Sequence, residues 1–137
     1  MKLKENKIEI ELYHLKYANG GKVTNQIGNF YEVCGQAQKS IRWKQKNGEE
    51  FISHLLRRII KKRNNEECSR LEKGTKEELQ NLIGVMQNKI PVEFVNYIVQ
   101  PGVSSANISN EILTLLGVTE NYLMEYAQIA LNIVVNK

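Results

Sequence analysis

Ile8–Lys16, IEIELYHLK, decides how the rest of the chain is read. Ile8, Ile10 and Leu12 alternate with Glu9, Glu11 and Tyr13, a period of two that predicts a strand over Lys7–Tyr17. The same parity carries His14 and Lys16 onto the face that Ile8, Ile10 and Leu12 bury. Polar groups crowded onto an apolar scaffold are costly unless paired or used. Asn19-Gly20-Gly21 then predicts a turn.

Working outward, Ile27, Phe30, Cys34, Ala37 and Ile41 form one apolar stripe, so a helix is expected over Gln26–Lys44. Tyr31, Gln38 and Arg42 lie along one edge of that stripe, with Lys39 farther round. Glu49–Arg63 reads as a second amphipathic helix, apolar at Ile52, Leu55, Leu56, Ile59 and Ile60, with a basic exterior of Arg57, Arg58, Lys61, Lys62 and Arg63. Asn64–Gly74 reads as a loop. Thr75 and Glu78 make a capping box for a helix with core face Leu79, Leu82, Ile83 and Met86. Pro91–Val99 is a nearly continuous apolar run, as central parallel strands are, and Gln100-Pro101-Gly102 is expected to break it. Ser109 and Thr119 are candidate caps of two short helices, Asn110–Leu116 and Glu120–Gln128, before a last strand Ala130–Val135. Strands separated by helices predict an α/β fold: a mixed central sheet of three to four strands flanked by helices. A fourth strand would come from the first residues or from another copy.

The 137 residues fit one domain, 1–137. Hydrophobic content of 42% and charged content of 25% are those of a folded globular chain. The net charge of +4 suits a polyanionic partner without requiring one. Cys34 and Cys68 are too few for a disulfide framework and lack metal-ligand spacing. No apolar run is long enough to span a bilayer, and the start MKLKENK lacks a signal-peptide core, so no membrane partner and a cytoplasmic location are expected. No phosphate-cradling glycine loop is present, which argues against a nucleotide site behind Val99, and no serine-nucleophile elbow either.

The His14-x-Lys16 pair has two readings. Two strand-end side chains can simply emerge into solvent. Alternatively, in nucleases that use a divalent cation, an acid-x-lysine pair at a strand end holds the metal and orients the attacking water or stabilises the phosphate. Histidine in the acid's place weakens the site for magnesium, because imidazole prefers softer ions. The Tyr31–Arg42 edge is either a polar helix flank or a set of phosphate contacts. The Arg57–Arg63 cluster is either a solvated helix end or a DNA-binding surface.

The runs YHLKYANGGK, NFYEVCGQAQKSIRW, FISHLLRR and VEFVNYIVQPGVSSANISNEILTLLGVTENYLMEYAQIALNIVV resemble the carboxyl-terminal region of large bacterial DEAD/DEAH-box helicase-like proteins of defence systems. The resemblance covers nearly the whole chain from Ile8. Its element order is similar to the restriction-endonuclease-like fold of the PD-(D/E)xK type. It implies that His14 takes the second acid's place and a metal-ligand role with Mg2+ or Mn2+, that Lys16 is the catalytic lysine, and that Gln38 joins them. It also matches Tyr31, Gln36, Gln38 and Lys39 to the helix that follows the core; nucleic-acid contacts are expected of Tyr31, Gln36 and Lys39 there and, from their charge and position, of Arg42, Arg57, Arg58, Lys61 and Lys62. The chain departs from the pattern at its start: Glu5 is the sole acid before Ile8, where the first aspartate's strand should be. The expectation is therefore the latter part of a larger nuclease-like domain that binds DNA, works with a helicase-like protein, and does not cut alone. The alternative is a non-catalytic module that forms a homo-oligomer or docks on a helicase partner through an apolar strand edge and the Leu79–Met86 helix.

Overall fold

A computed structural model describes residues 1–4, 6–16, 26–46 and 48–137. The Asn19-Gly20-Gly21 turn, Tyr17 and Glu5 lie outside these residues. The elements are β1 (Lys2–Lys4), β2 (Lys7–Leu15), α1 (Ile27–Lys39), α2 (Ile41–Gln45), α3 (Glu49–Arg57), β3 (Ile60–Arg63), β4 (Glu66–Ser69), α4 (Lys76–Gln87), β5 (Val92–Ser104), α5 (Asn110–Ala127) and β6 (Ala130–Asn136). The architecture is α/β. One mixed sheet has the order β1-β2-β5-β6, and β3 and β4 form a separate antiparallel pair. The first residues do supply the fourth strand: β1 pairs antiparallel with β2, whereas β2, β5 and β6 run parallel.

The register places Ile8, Ile10, Leu12 and His14 of β2 on the same face as Val92, Phe94, Asn96, Ile98 and Gln100 of β5. That face meets the helices. Phe30, Val33, Cys34 and Ala37 of α1 and Phe51 and Ile52 of α3 bury themselves with Ile8, Ile10, Phe94 and Ile98. Phe51 sets its edge against Phe94, with ring centroids 6.0 Å apart. The opposite face carries no helix among the described residues. Tyr13 stacks on Tyr97 there, and Tyr13, Leu15 and Val134 stay exposed. Parallel sheets are usually covered on both faces, whereas among the described residues this one is covered on one.

Five expectations need correction. The helix expected over Glu49–Arg63 stops at Arg57, and Lys61, Lys62 and Arg63 lie in a hairpin strand paired with Glu66–Ser69. Asn64 and Asn65 both take positive φ, 51° and 64°, the backbone of a two-residue hairpin turn, and asparagine tolerates it. The loop expected over Asn64–Gly74 thus holds a strand. The helix expected over Gln26–Lys44 is divided at Ser40, whose hydroxyl turns back to donate to the Ala37 carbonyl at 2.6 Å. β5 does not end at Val99: it runs to Ser104, and Pro101 is absorbed by a register shift between Gln100 and Ser104. Finally, Asn110–Ala127 is one helix through Gly117. Ser109 caps it, but Thr119 is a buried mid-helix residue whose hydroxyl donates to the Leu115 carbonyl at 2.8 Å. The Thr75 capping box and the buried positions Leu79 and Met86 are as the sequence predicts, with that face turned inward against α3.

Candidate functional site

At the carboxyl end of β2, His14 opens into a shallow groove of about 240 Å³ lined also by Leu12, Gln36, Lys39, Ser40, Arg42 and Trp43. β2 supplies the floor. α1 runs back along it and brings Gln36 and Lys39 down beside His14. The turn at Ser40 then starts α2, which delivers Arg42 and Trp43. Arg42 lays its guanidinium over the Trp43 ring, 4.2 Å from the centroid. Lys39 and Arg42 have no carboxylate partner among the described residues.

Beneath the groove lies a polar chain that sequence reasoning missed. Asn96 is fully buried, and its amide nitrogen donates to Ser40 Oγ at 2.8 Å and to the Ala37 carbonyl at 3.3 Å. Asn96 Oδ1 and His14 Nε2 are both buried without a hydrogen-bond partner. Burial pushes the His14 pKa below its ordinary 6.5, and the nearby Asn96 side chain counters part of this. Four residues on, Gln100 is also fully buried and neither of its amide atoms is paired. The signal was in the period of two: Asn96 and Gln100 share the inward parity of Phe94 and Ile98, so two amides were bound for the interior.

Lys16 reaches α1 too, where its Nζ meets Glu32 Oε2 at 2.5 Å. His14 and Lys16 thus both face α1, yet the ammonium is already neutralised. Gln38 is turned the other way and donates to Thr119 Oγ1 of α5 at 3.4 Å. Tyr31 is exposed on α1 and does not line the groove. The structure therefore brings together His14, Gln36, Lys39 and Arg42, and leaves Gln38 and Tyr31 outside that group.

The basic residues farther along are divided. Trp43 packs on His54 of α3, ring centroids 5.1 Å apart, and Arg58 Nη1 lies 3.4 Å from His54 Nε2. The His54 pKa is lowered by burial and then by the positive charges of Arg58, Arg57 and Arg42, with Glu50 opposing. Arg42, which lines the groove, and Arg58 thus come together at Trp43 and His54. Lys61 and Lys62 stand apart in the hairpin, where Lys62 faces Glu67 and Arg63 faces Glu66 across the strands.

Among the described residues the donor set at His14 does not fit Mg2+ or Mn2+. Such ions take several oxygen ligands, commonly carboxylates. His14 and the Asn96 carbonyl oxygen are a nitrogen and a neutral oxygen, and Glu32 is held by Lys16. Among the described residues no three His, Cys, Asp or Glu side chains gather as a metal site. A larger cleft of about 340 Å³ lies at the other end of β5, lined by Lys44, Glu49, Met86, Lys89, Ile90, Pro91, Val92 and Phe94. None of the residues expected to bind metal or nucleic acid lines it. No helix among the described residues is long and apolar enough to cross a membrane. Comparisons with protein-family models, with curated proteins and with solved structures give no match.

Proposed function

We propose that this chain binds nucleic acid by its phosphates, along a strip that starts at the His14 groove and passes Lys39, Arg42, Trp43 and His54 to Arg57 and Arg58. The observation that carries this reading is a continuous run of contacts leading out of the groove: Arg42 lies over Trp43, Trp43 packs on His54, and Arg58 Nη1 lies 3.4 Å from His54 Nε2. Like charges gathered on one surface repel each other, and a bound polyanion relieves that repulsion. Glu50 is the carboxylate nearby, and its Oε1 is held by Lys46 at 2.7 Å. Gln36 adds a neutral donor for phosphate oxygens, and Arg42 is an exposed cation stacked on the Trp43 ring.

On this reading the domain is a restriction-endonuclease-like binding unit of a bacterial defence or DNA-processing protein, working beside a helicase-like partner in the cytoplasm. The order β2-α1-β5-α5-β6, with the groove at the end of β2, supports that kinship. Phosphodiester hydrolysis is not part of the proposal, because among the described residues the donor set around His14 lacks carboxylates. A second reading, docking on a protein partner, is favoured by the sheet face that carries no helix among the described residues, with its exposed Tyr13, Leu15 and Val134.

Fluorescence anisotropy with labelled single-stranded and duplex DNA at low salt tests the proposal. Binding is expected, with Arg42→Glu and Arg58→Glu each removing most of it and Lys62→Glu removing little. Absence of binding, or binding indifferent to the first two reversals, overturns it and leaves the docking reading.

A further inference from the structure

We infer that two copies of this chain join through β6, forming one continuous eight-stranded sheet about a two-fold axis. Among the described residues β6 is an edge of the sheet. An open edge presents a row of free backbone N–H and C=O groups, and what satisfies them is another strand. Edges that must stay open carry lysine, proline or a bulge. β6, ALNIVVN, has no charge and no proline, and it pairs with β5 without irregularity until Val135. Ile133 and Val134 are 40% and 46% exposed.

The strand is complementary to itself. Antiparallel pairing centred on Ile133 sets Ile133 against its own equivalent, Leu131 against Val135, Asn132 against Val134 and Ala130 against Asn136. Leu131, Ile133 and Val135 share the face of Asn96, Ile98 and Gln100, so apolar groups meet on the helix-bearing side. No like charges oppose one another in this register. A slip by one residue would set the inner face against the outer.

The helix above the strand fits the same axis. α5 packs over β6, whereas α1 packs over β2 and β5. Thr119 marks the side of α5 turned to α1, through Gln38. Leu113 and Met124 stand roughly 120–140° round from it at 3.6 residues per turn, on the flank that overhangs the open edge. They are 53% and 49% exposed. Three residues of strand rise about 10 Å, as far as about seven residues of helix. Counting back from Ala127, the axis is level with Glu120, one turn from Gly117 on the same flank. A Cβ at Gly117 would meet nothing within 4 Å, so no contact inside one copy calls for glycine there, whereas two helices side by side gain from a small residue. Glu120 is the charge that opposes the pairing. This is an isologous contact, in which each copy offers the same surface.

Sedimentation equilibrium from about 1 μM to about 1 mM protein, without nucleic acid, tests the inference. A reversible dimer is expected. Ile133→Lys and Gly117→Arg should each weaken it at least about tenfold with unchanged circular dichroism, and Glu120→Gln should tighten it. Ile133→Cys combined with Cys68→Ser should cross-link the two copies on mild oxidation. If Ile133→Lys fails to fold, Gly117→Arg still decides, because its side chain enters open space in the single copy. A monomer throughout the range, or a dimer indifferent to both substitutions, overturns the inference.

Discussion

His14 is held between a buried amide and an aqueous groove, and its protonation is coupled to folding. Its folded pKa lies below 6.5, so the unfolded chain binds the proton more readily. The neutral-imidazole contribution is full above about pH 6.5 and is lost as pH falls toward the lower folded value. Thermal unfolding between pH 7.5 and 5 should show stability falling with acidity, and His14→Gln should flatten that slope. A slope unchanged in the variant would contradict the burial argument. His54 answers oppositely to ligand: phosphate would offset the guanidinium charges that lower its pKa, so binding should tighten as pH falls from 7 to 5.5, less so in His54→Gln. The two buried amides make a second contrast. Asn96 donates two hydrogen bonds, so Asn96→Leu should cost about 1–3 kcal/mol in urea unfolding; Gln100 has none, so Gln100→Leu should be neutral or stabilising. Both inward positions could be read from alternation, but not their partners, because Ser40 and Ala37 meet Asn96 only after the α1–α2 turn is folded.

Elements whose ends are written in local chemistry were legible. The Thr75 capping box is one: Thr75 Oγ1 accepts from the Glu78 amide at 3.1 Å, and Glu78 Oε2 accepts from the Thr75 amide at 2.8 Å. Thr75→Ala should lower stability by about 1 kcal/mol, measured by thermal or urea unfolding. The β3–β4 hairpin was not legible, because Ile59 and Ile60 continue the helical period of α3 while the stop signal sits later, at Asn64 and Asn65. Asn65→Gly should stabilise that turn, since glycine takes positive φ without strain. The length of α5 was hidden for a different reason. Gly117 and Thr119 look like a stop and a start, but Thr119 satisfies its hydroxyl within the helix and through Gln38, so tertiary packing overrides the break. Gly117→Ala should then raise stability by up to about 1 kcal/mol.

Over the whole molecule, the sheet sorts the chemistry. Its helix-bearing face holds the core and, at the end of β2, the groove; its outer face carries no helix among the described residues. The alternation in Ile8–Lys16 foretold that His14 and Lys16 would share the core side, and both do meet α1. It could not foretell that Glu32 would neutralise Lys16, or that the hairpin would separate Lys61 and Lys62 from Arg57 and Arg58. The charge relevant to a polyanion is therefore local to Lys39, Arg42, Arg57 and Arg58 rather than spread along a helix. A salt titration of duplex-DNA affinity reads that number. Four phosphate contacts predict a slope of log affinity against log salt of about −3 to −4, falling by about one for each of Arg42→Gln and Arg58→Gln. A slope near zero, or one that neither substitution changes, would contradict phosphate binding by this strip.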